Sequence, residues 1–386
     1  MILKGELMKR VLVSAVLVFC LALGIFPNEV SAASSVSAKS AILLDADTGK
    51  VLFEKDAYTK RPMASTTKIM TSLLCLESSE RDTPFKVDSA AIRVEGSSMG
   101  LLEGDSVTLK TLAIGQLMLS GNDAANSAAV RISGDSESFA KKMNERAAEI
   151  GMKSTNFVTP SGLHDENHYS TAYDMALLGA QAIKNADFLE ICSKAKYTVS
   201  YGQPEVRRTF SNHNRLVREL EGCIGIKTGF TKKAGRCLVS AVKRGGRTLI
   251  CVTLSAPNDW QDHKSLYAFG FSLYKETPAP KAELPTLPIA NSEHNEIPLS
   301  LSGEAPTLFV REGEKIECKI TLRPFEYAPV FKGQVVGSLY YCVGDTALGE
   351  RAIIAARSAH HLWQRSGEEK KNPFEKLIEW LFSLFK

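Results

Sequence analysis

The sequence predicts an α+β fold: an antiparallel β-sheet packed with a helical cluster, followed by a small mainly-β domain and a C-terminal amphipathic helix. Three observations predict it. Strand-like apolar runs stand at both ends of residues 36–277 with helical periodicity between them, a proline-rich stretch follows, and short alternating runs come after it. The 386 residues, 44% hydrophobic and 23% charged, suffice for two domains. A formal net charge of +4 without a dense basic run argues against a nucleic-acid partner.

Taken in order, Lys4, Lys9 and Arg10 flank the apolar run VLVSAVLVFCLALGIF (11–26), and Val30-Ser31-Ala32 offers small residues for cleavage. Residues 1–32 therefore read as a signal peptide, with Met8 an equally serviceable start, and the chain is expected to be exported. The run falls short of the ~20 residues that span a bilayer. SAILLDADTGKVLFEKD (40–56) predicts a hairpin in which Asp45 and Asp47 are turn residues rather than a carboxylate pair. Residues 64–77 carry Ile69, Met70, Leu73, Leu74, Cys75 and Leu76 around nearly the whole circumference, which predicts a central helix. Further helical periodicity covers 110–119, 124–132, 136–150 and 171–184. From Cys223 the period changes: CIGIKTGF, CLVSAVKR and RTLICVTLSA predict three strands, the last two joined through Gly245-Gly246.

Residues 33–277 thus form the first folded unit. A proline-rich linker (278–294), a small β-sandwich-like domain (295–358) and a charged tether (359–371) are expected after it. In 372–386, Phe374, Leu377, Ile378, Leu381, Phe382 and Phe385 make one apolar stripe, flanked by Trp380 with Lys371, Lys376 and Lys386. This predicts a helix lying on a membrane surface. Seven cysteines remain after residue 32, an odd and scattered set without zinc spacing, so no disulfide framework is expected. Cys237 and Cys251 would face opposite sides of their hairpin.

Three short segments carry chemistry. PMASTTKIMTSLL (62–74) sets Ser65 three residues before Lys68 at the entrance of the most apolar helix. Ser-x-x-Lys alone says little, since Ser138–Lys141 and Ser193–Lys196 spell it too. Here both side chains share a helix face, the helix N-terminus favours negative charge on the serine oxygen, and desolvation would let Lys68 act as general base. MLSGNDAAN (118–126) presents Ser120 and Asn122 around Gly121, a hydroxyl and an amide suited to relaying a proton and holding a peptide bond. Lys227-Thr228-Gly229 occurs once, in a predicted strand, where glycine lets a substrate backbone approach the strand edge. Each alone has a plain reading: a solvent-facing lysine, a helix cap, an ordinary tripeptide.

Together and in this order they resemble the low-molecular-weight penicillin-binding proteins, the serine-type D-alanyl-D-alanine carboxypeptidases of the β-lactamase/transpeptidase-like fold. AILLDADTGKVLFEKD, SGLHDENHYSTAYDMALL (161–178) and APVFKGQVVGSL (328–339) extend the resemblance, and KTGFTKKAGRCLVSAVKR resembles the branch of sporulating Gram-positive bacteria. The resemblance implies acyl transfer on peptidoglycan stem peptides, with β-lactams as covalent inhibitors and no metal or organic cofactor. Ser65 would be the nucleophile, Lys68 its base and Ser120 the proton donor to the leaving D-alanine. Asn122 would hold the substrate amide, Lys227, Thr228 and Gly229 would bind the substrate, and backbone N–H groups of Ser65 and Phe230 would form the oxyanion hole. Many relatives place a carboxylate-binding arginine after the last strand; SAPNDWQDHKS (255–265) has none, so either His263 or Lys264 would substitute or Lys227 and Thr228 would suffice.

Three rivals share these residues: a D,D-endopeptidase, a catalytically idle peptidoglycan-binding protein, and a β-lactamase. The last would need a water-activating glutamate in a loop between the second and third motifs, and Glu166 lies in a stretch that does not match such a loop. His164 and His168, four apart but not in HExxH, read as a loop, and His360-His361 as surface.

Overall fold

The structure is a computed structural model that describes residues 36–362. The expected signal peptide and the amphipathic helix lie outside the described residues. The architecture is α+β as the sequence predicts. Strands β1 (Ser40–Asp45), β2 (Val51–Lys55), β5 (Cys223–Thr231), β6 (Gly235–Arg244) and β7 (Arg247–Leu254) form one antiparallel sheet in the order β2-β1-β7-β6-β5. The chain thus closes the sheet by pairing its first strand with its last, Ile42 opposite Val252. The β6–β7 turn is the two-residue Gly245-Gly246 loop, with Arg244 opposite Arg247.

Both faces of the sheet are covered, and the alternation along β1 shows it. Ile42 and Leu44 join the core of the helical side, whereas Ala41 and Leu43 join the core beneath the C-terminal helix α7 (Asp259–Ser272). The same alternation puts Cys237 in the first core and Cys251 in the second; both are free thiols. At the centre of the helical side lies α1 (Lys68–Glu77), where Ile69, Met70 and Leu73 are fully buried. Each such side chain contributes about 1.5–3 kcal/mol by leaving water. Around α1 stand α2 (Leu109–Leu119), α3 (Asn122–Ser133), α4 (Ser136–Ile150), α5 (Ala172–Ala182) and α6 (Ala186–Ser193).

Among the elements that sequence periodicity misses are a hairpin and two helices. The hairpin of β3 (Lys196–Tyr201) and β4 (Val206–Ser211) alternates exposed with half-buried residues and so carries little apolar signal. Helix α6 has only eight residues. In α7 the buried face carries Asp259, Asp262 and His263 beside Leu266 and Tyr267, which hides the apolar stripe. Asp262 is buried because it accepts hydrogen bonds from Ser37 N, Ser37 Oγ and Ala38 N, which ties the start of the described chain to α7.

Strand β8 (Tyr274–Pro278) leads into the second β unit by pairing with Thr307–Arg311. Residues 279–286 hold no helix or strand, but Leu287–Ala290 already pairs with Glu296–Ile297, and Leu287 and Ile289 lie in the second unit's core. The second unit therefore takes in the end of the proline-rich stretch. Its main sheet runs Leu299–Leu301, Thr346–Ala355, Val335–Val343, Glu317–Leu322.

The two units are joined at the β6–β7 turn. Arg247 is fully buried there, its Nε donates to Phe309 O at 3.0 Å, and its guanidinium pairs with Glu314 and approaches Asp45 Oδ2 at 3.7 Å. Asp45 also caps its own turn, accepting from Asp47 N and Thr48 N, and accepts from Tyr274 Oη at 2.7 Å. The turn role predicted for Asp45 is present, with an ionic role added.

Candidate active site

The helix expected over 64–77 begins as a 3-10 turn, Ala64–Thr67, before α1 proper starts at Lys68. Ala64 takes φ +48°, a left-handed conformation unfavourable for a residue with a side chain. Two glycines show what holds the turn there. A Cβ on Gly229 would come within 3.0 Å of the Ser65 nitrogen, and one on Gly162 within 2.0 Å of the Ala64 carbonyl oxygen. Strand β5 and the 159–163 loop are thus pressed against the serine from two sides. The glycine of Lys227-Thr228-Gly229 is required by the chain's own backbone.

Lys68 is fully buried, and its Nζ lies 2.9 Å from Ser65 Oγ, 2.7 Å from Asn122 Oδ1 and 2.5 Å from Ser161 O. Burial, reinforced by the positive charge of Lys227, lowers its pKa well below the usual lysine value, against a smaller opposing effect of Asp123. Lys227 is also buried, donates to Thr228 O at 2.8 Å, and is brought down by burial to about 7.

Ser120 ends α2 in a left-handed conformation, φ +62°, which turns it out of the helix and into the cleft. Asn122 starts α3, and both ends of its amide are engaged: Oδ1 accepts from Lys68, while Nδ2 donates to Glu95 O at 2.6 Å. Those bonds also fix which end is oxygen. Its geometry here is that of a lysine holder; the substrate-amide contact expected from the sequence would have to displace one of these bonds.

These groups open on a cleft of about 300 Å³ lined by Ser65, Ser97, Ser120, His213, Thr228, Gly229, Phe230, Arg236, Asp259 and Trp260. Strand β5 is a sheet edge, so an extended peptide can lie beside it. Of the expected residues, Ser65, Ser120, Thr228, Gly229 and Phe230 line the cleft, and Lys68, Asn122 and Lys227 stand behind it.

Neither suggested replacement for the carboxylate-binding arginine reaches this space. His263 is fully buried under the sheet, bonded to Ser240 Oγ and Thr253 Oγ1 and brought down to about 3 by burial. Lys264 pairs with Glu219 at 2.9 Å. Glu166, the glutamate a β-lactamase would need, is solvent-exposed, pairs with His164 and Lys233, and does not line the cleft.

Sequence reasoning missed Ser161 and His168. His168 is buried, its Nδ1 accepts from Val158 N and Thr159 N, and its Nε2 lies 2.8 Å from Thr67 Oγ1. It clamps the loop carrying Ser161 O to the serine turn. The SGLHDENHYS stretch was the signal for both.

Residues 27–258 match the family described as D-alanyl-D-alanine carboxypeptidase. The chain belongs to that family. Residues 277–360 match the C-terminal domain of penicillin-binding protein 5, which accounts for the carboxypeptidase's second β unit. D-alanyl-D-alanine carboxypeptidase DacF of Bacillus subtilis (strain 168) is 32% identical over 335 residues, 82% of this chain and 85% of its own. DacC of Escherichia coli (strain K12) is 33% identical over 343 residues, 83% of this chain and 84% of its own. Among solved structures, the carboxypeptidase DacD from Francisella tularensis superposes with a TM-score of 0.59 at 26% identity, covering 85% of this chain and 95% of that one. The protein is a serine-type D,D-carboxypeptidase, a low-molecular-weight penicillin-binding protein.

Proposed function

We propose that Ser65 attacks the carbonyl between the two terminal D-alanines of a peptidoglycan stem peptide, with Lys68 as its base. The observation that supports this most directly is the set of partners around Lys68 Nζ. A neutral amine has two N–H donors and one lone pair. Asn122 Oδ1 and Ser161 O can only accept, so they take the two N–H bonds. The lone pair is left for the third neighbour, the Ser65 hydroxyl at 2.9 Å, which then donates to it. The pocket orients a deprotonated lysine toward the serine proton.

In the first step the Ser65 Oγ–C bond forms and the proton moves to Lys68. The developing oxyanion lies between the backbone N–H groups of Ser65 and Phe230. Collapse breaks the C–N bond, the leaving amine takes its proton through Ser120, and D-alanine departs. Water then cleaves the acyl-enzyme by the reverse proton path. Thr228, with Lys227 behind it, attracts the substrate's terminal carboxylate. β-Lactams acylate the same oxygen.

We place the enzyme in the cell envelope, at the outer face of the cytoplasmic membrane, on the strength of the predicted signal peptide and residues 372–386. Among the described residues no helix is long and apolar enough to cross a membrane.

The test is D-alanine release from a peptide ending Lys-D-Ala-D-Ala, with Ser65→Ala and Lys68→Ala beside the wild type. Release by the wild type alone is expected. A Lys68→Ala protein that folds and reacts with penicillin at the normal rate would refute the base assignment.

A further inference from the structure

We propose that Arg236 is the receptor for the substrate's terminal carboxylate, and that it makes this cleft select peptides with a free C-terminus over extended or amidated ones. The inference rests on the carboxypeptidase reading above. It starts from a deficit: a substrate that ends in a carboxylate needs a cation at the leaving-group end, and 255–265 supplies none to the cleft. Among the ten lining residues Arg236 is the one with a permanent positive charge. Lys68 and Lys227 lie buried behind the surface, and burial, with Lys227 nearby, keeps His213 below its ordinary value.

Arg236 stands on β6 directly opposite Phe230 of β5. Facing residues of an antiparallel pair share a side of the sheet, so Arg236 lies on the side of Phe230 and Thr228, away from Gly229 and the serine turn. Thr228 is its diagonal neighbour, a separation of about 7–8 Å that a long side chain spans. A carboxylate bonded to the Thr228 hydroxyl is therefore within reach of the guanidinium.

The guanidinium is also held ready. Its Nε and Nη2 both reach Asp259 Oδ1, at 3.0 and 2.9 Å, which occupies one edge of the fork. The Trp260 ring lies 5.5 Å from its Cζ, and Arg215 stacks on the same ring at 5.1 Å. Asp259 is buried and itself fixed at the start of α7, where its Oδ1 accepts from Trp260 N. The Nη1–Nη2 edge remains, and the Arg236 side chain is 42% exposed, so a bidentate carboxylate can still be received. Asp259 acts as a positioning residue. An amide or a continuing peptide bond at that place brings no charge to the fork and must overlap the space it fills.

Two probe pairs test this with the full chain: Lys-D-Ala-D-Ala peptide against its C-terminal amide, and benzylpenicillin against its methyl ester. For the wild type, kcat/KM for the acid should exceed that for the amide, and penicillin should acylate faster than its ester. In Arg236→Ala both ratios should fall by roughly 30-fold, chiefly through KM for the peptide, with partial recovery in Arg236→Lys. Asp259→Asn should lower the same ratios by a smaller factor. The ratios compare substrates on one folded protein, so loss of fold does not imitate the effect. An Arg236→Ala enzyme that keeps the wild-type ratios overturns the assignment. If the wild type releases neither D-alanine from the acid nor D-alaninamide from the amide, the carboxypeptidase reading fails, and the penicillin pair still decides Arg236: loss of ester discrimination supports its role, retention overturns it.

Discussion

Asn122 Oδ1 accepts a hydrogen bond from Lys68 Nζ at 2.7 Å, and the other end of the same amide is tied to Glu95 O. The contact gives the lysine a neutral acceptor where a carboxylate would give it a counter-ion. Asn122→Asp should therefore restore the ammonium form, because an opposite charge at this distance favours it. Penicillin acylation at pH 7 should drop by roughly 100-fold, with the ascending limb of its pH profile moved upward. Asn122→Ala should slow acylation without moving the limb upward. An Asn122→Asp profile that coincides with the wild type would show that this amide does not set the charge of Lys68.

The second lysine gives the descending limb. Acylation needs Lys68 neutral, so the rate rises with pH as Lys68 loses its proton; binding of a terminal carboxylate is helped by Lys227 in its charged form, which burial brings down to about 7. For the D-Ala-D-Ala peptide, kcat/KM should thus decline above about pH 7 as Lys227 deprotonates. Lys227→Arg keeps its charge and should extend activity to higher pH, at a lower maximum because the fork does not fit the lysine's place. A descending limb that stays put in Lys227→Arg would assign it to another group.

How much of this was legible beforehand differs by residue. Ser65, Lys68, Ser120 and Lys227 could be named because their spacing is local: one helix turn, one helix break, one strand tripeptide. A sheet built from both ends of the first unit could be anticipated because strand-like apolar runs mark both β1 and β7. Arg236 and Asp259 could not, since their pairing across 23 residues depends on how α7 returns over the sheet. Helix α7 itself was hidden because three of its buried residues are polar and satisfied by distant partners such as Ser37 and Ser240. The fold brings Asn122 against Lys68, but local sequence does not say which way an amide turns.

Two buried histidines predict acid sensitivity. His168 and His263 are brought down by burial to about 4 and about 3. Below pH 6.5 the unfolded chain takes up protons on both while the folded protein does not, so stability falls as pH falls toward those values. Between pH 6.5 and 5 the two together should remove about 3 kcal/mol. Urea unfolding across that range measures it, and His263→Gln should flatten the slope by about half. A midpoint independent of pH from 6.5 to 5 would contradict neutral burial of the pair.

The joint between the two units makes the last prediction. Arg247 is fully buried between Glu314, Phe309 O and Asp45. Glu314→Gln leaves that guanidinium with Asp45 at 3.7 Å as its remaining carboxylate partner. Breaking one side of a buried pair costs about 3–5 kcal/mol when nothing replaces it, and the Asp45 contact should hold the loss near the lower end. The second β unit should then melt ahead of the first in calorimetry. Acylation by penicillin should persist, because β6 runs from Gly235 at the cleft to Arg244 at the joint, ten residues or about 30 Å of strand. Should acylation fall in step with the early transition, the second unit would be holding the cleft in shape through β6, and the joint would belong to the active site's support.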